Sequence, residues 1–272
     1  MRHRRLTFAL GTALVFAALL ATAEAAPGAS EIVGAGPINT MLQGIPQQGI
    51  ELGKPDAPVT LVEFVEPQCP YCASWSRDEL PGVISRYVRR GKIRIEYRGL
   101  SFIGADSPGL LTLAQAAGAQ SKLWNVVELE YANQGAEGSG YADRAYLTAI
   151  AKAVPGLDVK KAFALTSSSK LAARIDRAKA LSQQYGIDQT PSFLIGKTGD
   201  ERNMTEIANT SGQGLYSTID AALAGKPVKA KAKGFPAWAI VLIVIAGTAL
   251  LSGAISLAVR RRKWPTARPP AV

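Results

Sequence analysis

The tightest constraint on this chain lies in Thr60–Cys72, which reads Thr-Leu-Val-Glu-Phe-Val-Glu-Pro-Gln-Cys-Pro-Tyr-Cys. An apolar β-type run (Leu61, Val62, Phe64, Val65) ends at a Glu66-Pro67-Gln68 turn, and a Cys-x-x-Cys pair opens the next segment. Pro70 suits the first position of a helix, where a missing N–H costs nothing. Strand, turn and helix in that order deliver Cys69 to a helix N-terminus, beside unpaired backbone N–H groups and the positive end of the dipole. That setting favours thiolate, the reactive form of cysteine. Cys69 therefore reads as the exposed nucleophile, and Cys72, one turn further in, as the more buried resolving thiol.

Both cysteines of the chain belong to this pair. A purely stabilising disulfide accounts for it poorly, because so short a loop contributes only about 2 kcal/mol, against about 4 or more for a long one. A structural zinc site needs four ligands, and the chain offers two Cys and a single His, His3. Redox chemistry is the reading that remains. It needs no metal and no organic cofactor, since the redox group is the Cys69–Cys72 disulfide itself.

The net charge of +10 suggests nucleic-acid binding until it is located. Residues 1–25 carry +2, residues 26–225 carry −1, and the remaining nine positive charges follow residue 225. A neutral central portion has no basic face to offer a nucleic acid, so no nucleic-acid partner is expected. At the start, Arg2, Arg4 and Arg5 precede an apolar run, Leu6–Leu20, and then Ala-x-Ala patterns, the three-part layout of a signal peptide. Cleavage after Ala25 is expected, with Ala23 the second choice and a retained anchor the alternative. Near the end, Ala237–Val259 is uncharged and apolar over 23 residues, long enough to span a bilayer, with Trp238 on one side and Arg260-Arg261-Arg262-Lys263-Trp264 on the other. The expected organisation is a signal peptide (1–25), an N-terminal extension (26–58), an exported domain (59–225), a Lys-rich linker (226–236), a transmembrane helix (237–259) and a cytoplasmic basic tail (260–272).

Within the exported part, Gly49–Leu52 is a candidate edge strand. Pro70–Arg90 reads as a helix that Pro81 kinks or restarts, and Lys92–Arg98 alternates as a strand. From Ser107 to Tyr185 the pattern is helical nearly throughout, with one loose loop marked by Gly135, Gly138 and Gly140. Ser107 is the expected N-cap of a helix over Pro108–Gln120, followed by helices at Lys122–Asn133 and Ala142–Val154, a short one capped by Asp158, and a long one capped by Ser169 and ending at Gly186. Strands at Thr190–Gly196 and Met204–Ile207 and a helix at Leu215–Ala224 complete the domain.

This order, with the Cys-Pro-Tyr-Cys motif and Tyr-Gly-Ile-Asp-Gln-Thr-Pro-Ser-Phe about 120 residues later, closely resembles the DsbA family over Gly49–Gly225. The resemblance implies an α/β class: a thioredoxin fold with an all-helical insertion at about 107–185. It also implies a protein disulfide oxidoreductase in which Cys69 attacks and Cys72 resolves. Pro191 matches the family's cis-proline, and the backbone of Thr190 would pair with an extended substrate segment. Glu63 matches a buried acidic residue near the second sulfur. Alternation agrees, since Glu63 shares a strand face with Leu61 and Val65, and a covered carboxyl there has a raised pKa and can exchange the Cys72 proton. If the strand face were open, Glu63 would instead be solvated. Glu66 is a weaker rival for modulating the site.

One departure concerns Tyr71, which stands where many DsbA oxidants have His. Ionisation of Cys69 must then rest on the helix N-terminus, and the expected couple is less oxidising than the roughly −120 mV of DsbA, nearer the roughly −200 mV of glutaredoxins. The expected partners are the thiols of exported or cell-surface proteins, the membrane itself, and a membrane-embedded redox partner that reoxidises the pair. A reductase or isomerase of the same fold, or a non-catalytic binding module, are the alternatives.

Overall fold

The computed structural model describes residues 31–232. The expected signal peptide, the transmembrane segment 237–259, the basic tail 260–272 and the last residues of the linker lie outside the described residues. Among the described residues no helix is long and apolar enough to cross a membrane.

The fold is built on β3 (Val59–Val65), whose seven residues are all buried. A strand covered on both faces can be apolar along its whole length, which explains its Val-, Leu- and Phe-rich run. It pairs in parallel with β4 (Ile93–Gly99) and antiparallel with β5 (Ser192–Lys197). With β1 (Gln47–Gln48), β2 (Glu51–Leu52) and β6 (Thr205–Glu206), the six-stranded sheet has the order β1-β2-β4-β3-β5-β6. Only the Glu51–Leu52 half of the expected edge strand pairs with β4, and β1 lies outside it.

Alternation along β3 sorts the core. Leu61 and Val65 join the main cluster with Cys72, Trp75, Leu110 and Trp124, whereas Val62 and Phe64 face a smaller cluster with Leu181, Leu194 and Met204. Glu63 shares the parity of the main cluster.

The β3–β4 crossover is interrupted near Pro81, in keeping with a helix kinked or restarted there. It comprises α2 (Pro70–Asp78), α3 (Leu80–Val83) and a wide π-type turn over Ile84–Val88. The break falls at Glu79, two residues before Pro81, whose ring and missing N–H cannot continue the preceding ladder. The helical block then runs α4 (Ser107–Gly118), α5 (Leu123–Ala132), α6 (Arg144–Ala153), α7 (Val159–Leu165) and α8 (Ser169–Tyr185). Two caps differ from expectation. Asp106, not Ser107, stands at the N-cap of α4, because the Ser107 hydroxyl is taken by Gln68. Ser168, not Ser169, precedes α8, which Gly186 closes in the left-handed conformation at φ +70°. Asp158 caps α7 as expected, accepting from Lys161 N at 2.9 Å.

The N-terminal extension, where the sequence offers only the edge-strand candidate, contains α1 (Ala35–Leu42), followed directly by β1 and β2. Its Gly and Pro residues lie in the first turn, where they are tolerated. Tertiary contact supplies the rest: Val33 and Asn133 exchange hydrogen bonds of 2.9 and 3.0 Å, anchoring the start of α1 to the end of α5.

At the other end, α9 (Gly212–Leu223) is followed by a stretch assigned above to the free linker. That stretch is docked. Lys231 N donates to Glu206 O at 2.8 Å, Ala208 N donates to Lys229 O at 3.4 Å, and Ala230 bridges Ile207. Lys231 Nζ also pairs with Glu206 at 2.9 Å and reaches Asp188 at 3.8 Å. β6 left an open edge, and an edge strand takes a partner readily.

Candidate active site

Cys69 is the N-cap of α2, and its sulfur accepts a hydrogen bond from Cys72 N at 3.4 Å. The Thr190-Pro191 bond is cis, and the Cys69 thiol donates to Thr190 O at 3.4 Å. Two segments 121 residues apart thus meet at one sulfur. In this structure both cysteines are free thiols.

The two thiols are perturbed in opposite directions. Cys69 is lowered from about 9.0 to about 6 by the hydrogen bond from the Cys72 side chain, which outweighs its partial burial; Thr190 and the backbone N–H groups of Cys72 and Tyr71 add to the lowering. Burial pushes Cys72 strongly up, reinforced by its hydrogen bond to Cys69 and by the neighbouring sulfur's charge.

The expectation of an exposed Cys69 needs correction. Only 4% of it is accessible, against 1% of Cys72, because the Thr190 carbonyl lies against it. A groove of about 460 Å³ lies alongside, lined by the neighbours of Cys69 on both segments, among them Tyr71, Trp75, Gln189, Thr190, Pro191 and Thr210. Tyr71 is 74% exposed at its rim, and Pro70 opens α2 beside it.

Glu63 is 2% exposed, its Oε2 has no hydrogen-bond partner, and burial, followed by the charge of Glu128, raises its pKa well above the carboxylate range. No hydrogen bond joins it to Cys72 among the described residues. It belongs instead to a buried neighbourhood in which the Tyr97 and Tyr131 phenols each feel both Cys72 and Glu63. Glu66 is fully buried but committed to the turn, where its Oε2 accepts from Gln68 N at 2.6 Å.

Several residues that hold the site carried no sequence signal. Gln68 Nε2 donates to Ser107 Oγ at 2.7 Å while its Oε1 accepts from Gly138 N at 2.8 Å. Gln134 Nε2 donates to Pro67 O at 2.9 Å and Cys69 O at 3.3 Å, and Tyr131 Oη donates to Glu66 O at 3.3 Å. The helical insertion therefore grips the turn that aims Cys69. Trp75, read as a core residue, also donates to Thr210 O at 2.9 Å, and both residues line the groove. No group of three or more His, Cys, Asp or Glu that could hold a metal occurs among the described residues.

With this geometry in hand, comparison with known proteins finds the family described as Thioredoxin matching residues 46–209, more than half of the chain. A Bacillus cereus protein named "Probable disulfide bond formation protein D" is 28% identical over 147 residues, covering 53% of this chain and 68% of its own. The oxidised BdbD structure from Bacillus subtilis superposes with a TM-score of 0.57 at 21% identity, covering 66% of this chain and 98% of that one. Alpha-DsbA1 of Wolbachia pipientis gives 0.56 at 19% identity, covering 68% and 93%. At such identities the structural likeness establishes the fold.

Proposed function

The chain belongs to the thioredoxin family, in its DsbA-like branch, and from that premise we propose that it exchanges disulfides with exported proteins through Cys69 and Cys72. It is a protein disulfide oxidoreductase. The observation that carries this reading is the opposed perturbation of the two thiols beside an open groove. At neutral pH Cys69 is held as a thiolate, the form that attacks and leaves easily, while Cys72 keeps its proton.

In the oxidising direction a substrate thiolate attacks Cys69 Sγ. The Cys69–Cys72 bond breaks, its electron pair leaves on Cys72, and a mixed disulfide joins substrate to Cys69. A second substrate thiolate then attacks the substrate sulfur, releasing an oxidised substrate and the Cys69 thiolate. Stabilising that thiolate stabilises the reduced protein and makes the pair an oxidant, which agrees with relatives named for disulfide bond formation. Thr190, which lines the same groove as Tyr71, is the backbone position for an extended substrate segment. Residues 1–25 as a signal peptide and 237–259 as a membrane anchor place this domain outside the cytoplasm, within reach of a membrane-embedded partner that reoxidises it.

The test uses the Cys72→Ala variant, which leaves a mixed disulfide with no internal thiol to resolve it. Covalent, reductant-sensitive adducts with exported proteins are expected to accumulate. Their absence, together with a wild-type chain that cannot oxidise a reduced, unfolded protein, overturns the proposal. Cys69→Ala serves as the inactive control.

A further inference from the structure

The exchange proposed above leaves a proton to be accounted for. Cys72 must gain one each time the disulfide is reduced and lose one each time it is reformed, yet Cys72 is 1% exposed and Glu63 2%. A buried carboxyl can trade a proton with a buried thiol, but it needs its own route to water.

On the side of α2 away from the substrate groove, α1, α2 and α5 enclose a cavity of about 380 Å³ lined by Ile38, Met41, Ala73, Ser76, Glu128 and Tyr131, among others. A water occupies about 30 Å³ of liquid volume, so the space admits several. Glu128 is the acidic group on its wall, 5% exposed, and accepts a 2.5 Å hydrogen bond from Ser76 Oγ. Ser76 lies one turn beyond Cys72 on the same helix, and residues four apart share a face. The cavity wall and the rear of Cys72 are therefore formed by one strip of α2.

We infer that Glu128 is the exit for the proton exchanged at Cys72, passing it between the buried Cys72–Glu63 neighbourhood and water in the cavity between α1, α2 and α5. When the Cys69–Cys72 bond breaks, the electron pair left on Cys72 takes a proton from Glu63. Glu63 is refilled from Glu128, and Glu128 recovers its proton from cavity water. Formation of the disulfide runs the same path outward. Glu128 touches neither substrate nor sulfur, so its role is to keep Glu63 and Cys72 in their working protonation states.

The titration range suits this task. Burial raises Glu128 to about 7, with the Ser76 hydrogen bond partly opposing the rise, and the Glu128 charge in turn raises Glu63. Few other charges face it. α2 brings Ser76 and Arg77, the latter paired to Asp78 at 3.0 Å. α5 brings the Tyr131 phenol, itself pushed well up, and β3 brings Glu63. α1 contains no charged residue. Glu130, two positions along α5, lies on the opposite side of that helix, where its charge is felt by Tyr97, Tyr141 and Tyr146.

The inference rests on the disulfide-exchange reading and is tested by following reduction of the disulfide in the full-length chain by dithiothreitol, over about one pH unit either side of 7. The wild-type rate is expected to show an inflection near pH 7. Glu128→Gln should lose that inflection and slow by about tenfold, the low end of what a positioned proton donor supplies. Ser76→Ala, which removes the hydrogen bond lowering Glu128, should move the inflection to higher pH. This second variant decides the matter if Glu128→Gln fails to fold. Rate profiles that superimpose on the wild type in both variants overturn the relay while leaving the oxidoreductase reading intact. A wild-type pair that dithiothreitol cannot reduce at any pH overturns that reading and the relay with it.

Discussion

Cys69 and Cys72 sit one helical turn apart, and their surroundings pull them in opposite directions. At the front, Cys69 meets backbone donors at the start of α2, and its neighbours Tyr71 and Thr190 line a groove open to solvent. At the rear, Cys72 meets apolar core and a neighbourhood of Glu63, Tyr97 and Tyr131 whose groups are all pushed toward their neutral forms. A helix dipole decays within the first turn, but decay alone cannot push Cys72 upward. The added element is desolvation. Position along the helix lowers one pKa, and depth in the fold raises the other.

The largest test of this contrast is Cys72→Ala, which leaves no side-chain donor at that position. Removing the strongest lowering contribution should return Cys69 from about 6 toward its ordinary 9.0. At pH 6 the thiolate fraction then falls by more than about a hundredfold, read as alkylation rate against pH. An unchanged profile means that the front is set by the backbone alone.

Glu63→Gln probes the rear. Unfolded, Glu63 ionises at its ordinary value of 4.5, whereas folded it holds its proton to much higher pH. Its contribution to stability is therefore complete below pH 4.5 and is lost as pH rises through the folded pKa. The thermal midpoint of the wild type should fall between about pH 5 and about pH 8, and the Gln variant should fall measurably less. Matching slopes would assign the loss to Glu128 and Glu130, which carry the same sign.

Gln68→Ala separates front from rear mechanically. It removes partners from Ser107 Oγ and Gly138 N and should cost about 1–3 kcal/mol in denaturant unfolding, the penalty for stranding the buried Ser107 hydroxyl. Tyr71→Ala should do least. At 74% exposure its effect on stability should stay within about 0.5 kcal/mol, with any change confined to substrate affinity.

The front was far more legible in the sequence than the rear. Thirteen consecutive residues spell out a strand, a turn and a capped helix, so the place of Cys69 follows from local chemistry. The Thr190-Pro191 partner came from resemblance, and its carbonyl does lie against the sulfur. Two things escaped. Accessibility of Cys69 depends on how closely the distant loop packs. The grip of Gln68, Gln134 and Tyr131 on the turn joins residues 39 to 70 positions apart. No periodicity encodes such pairs. Glu128 read only as a helical residue, because its meeting with Ser76 is a fact of tertiary packing. α1 was hidden by composition, since a first turn holding Gly36 and Pro37 reads as loop until α5 is there to receive it.

The pairing of Lys229–Lys231 with β6 has a practical consequence. The last described residues lie against the fold, with Lys231 beside Asp188, two residues from Thr190. Any bulky label, bead or fusion partner attached after Ala232 would crowd the flank from which clients approach, whereas the opposite flank of the sheet, beyond β1, leaves that approach clear.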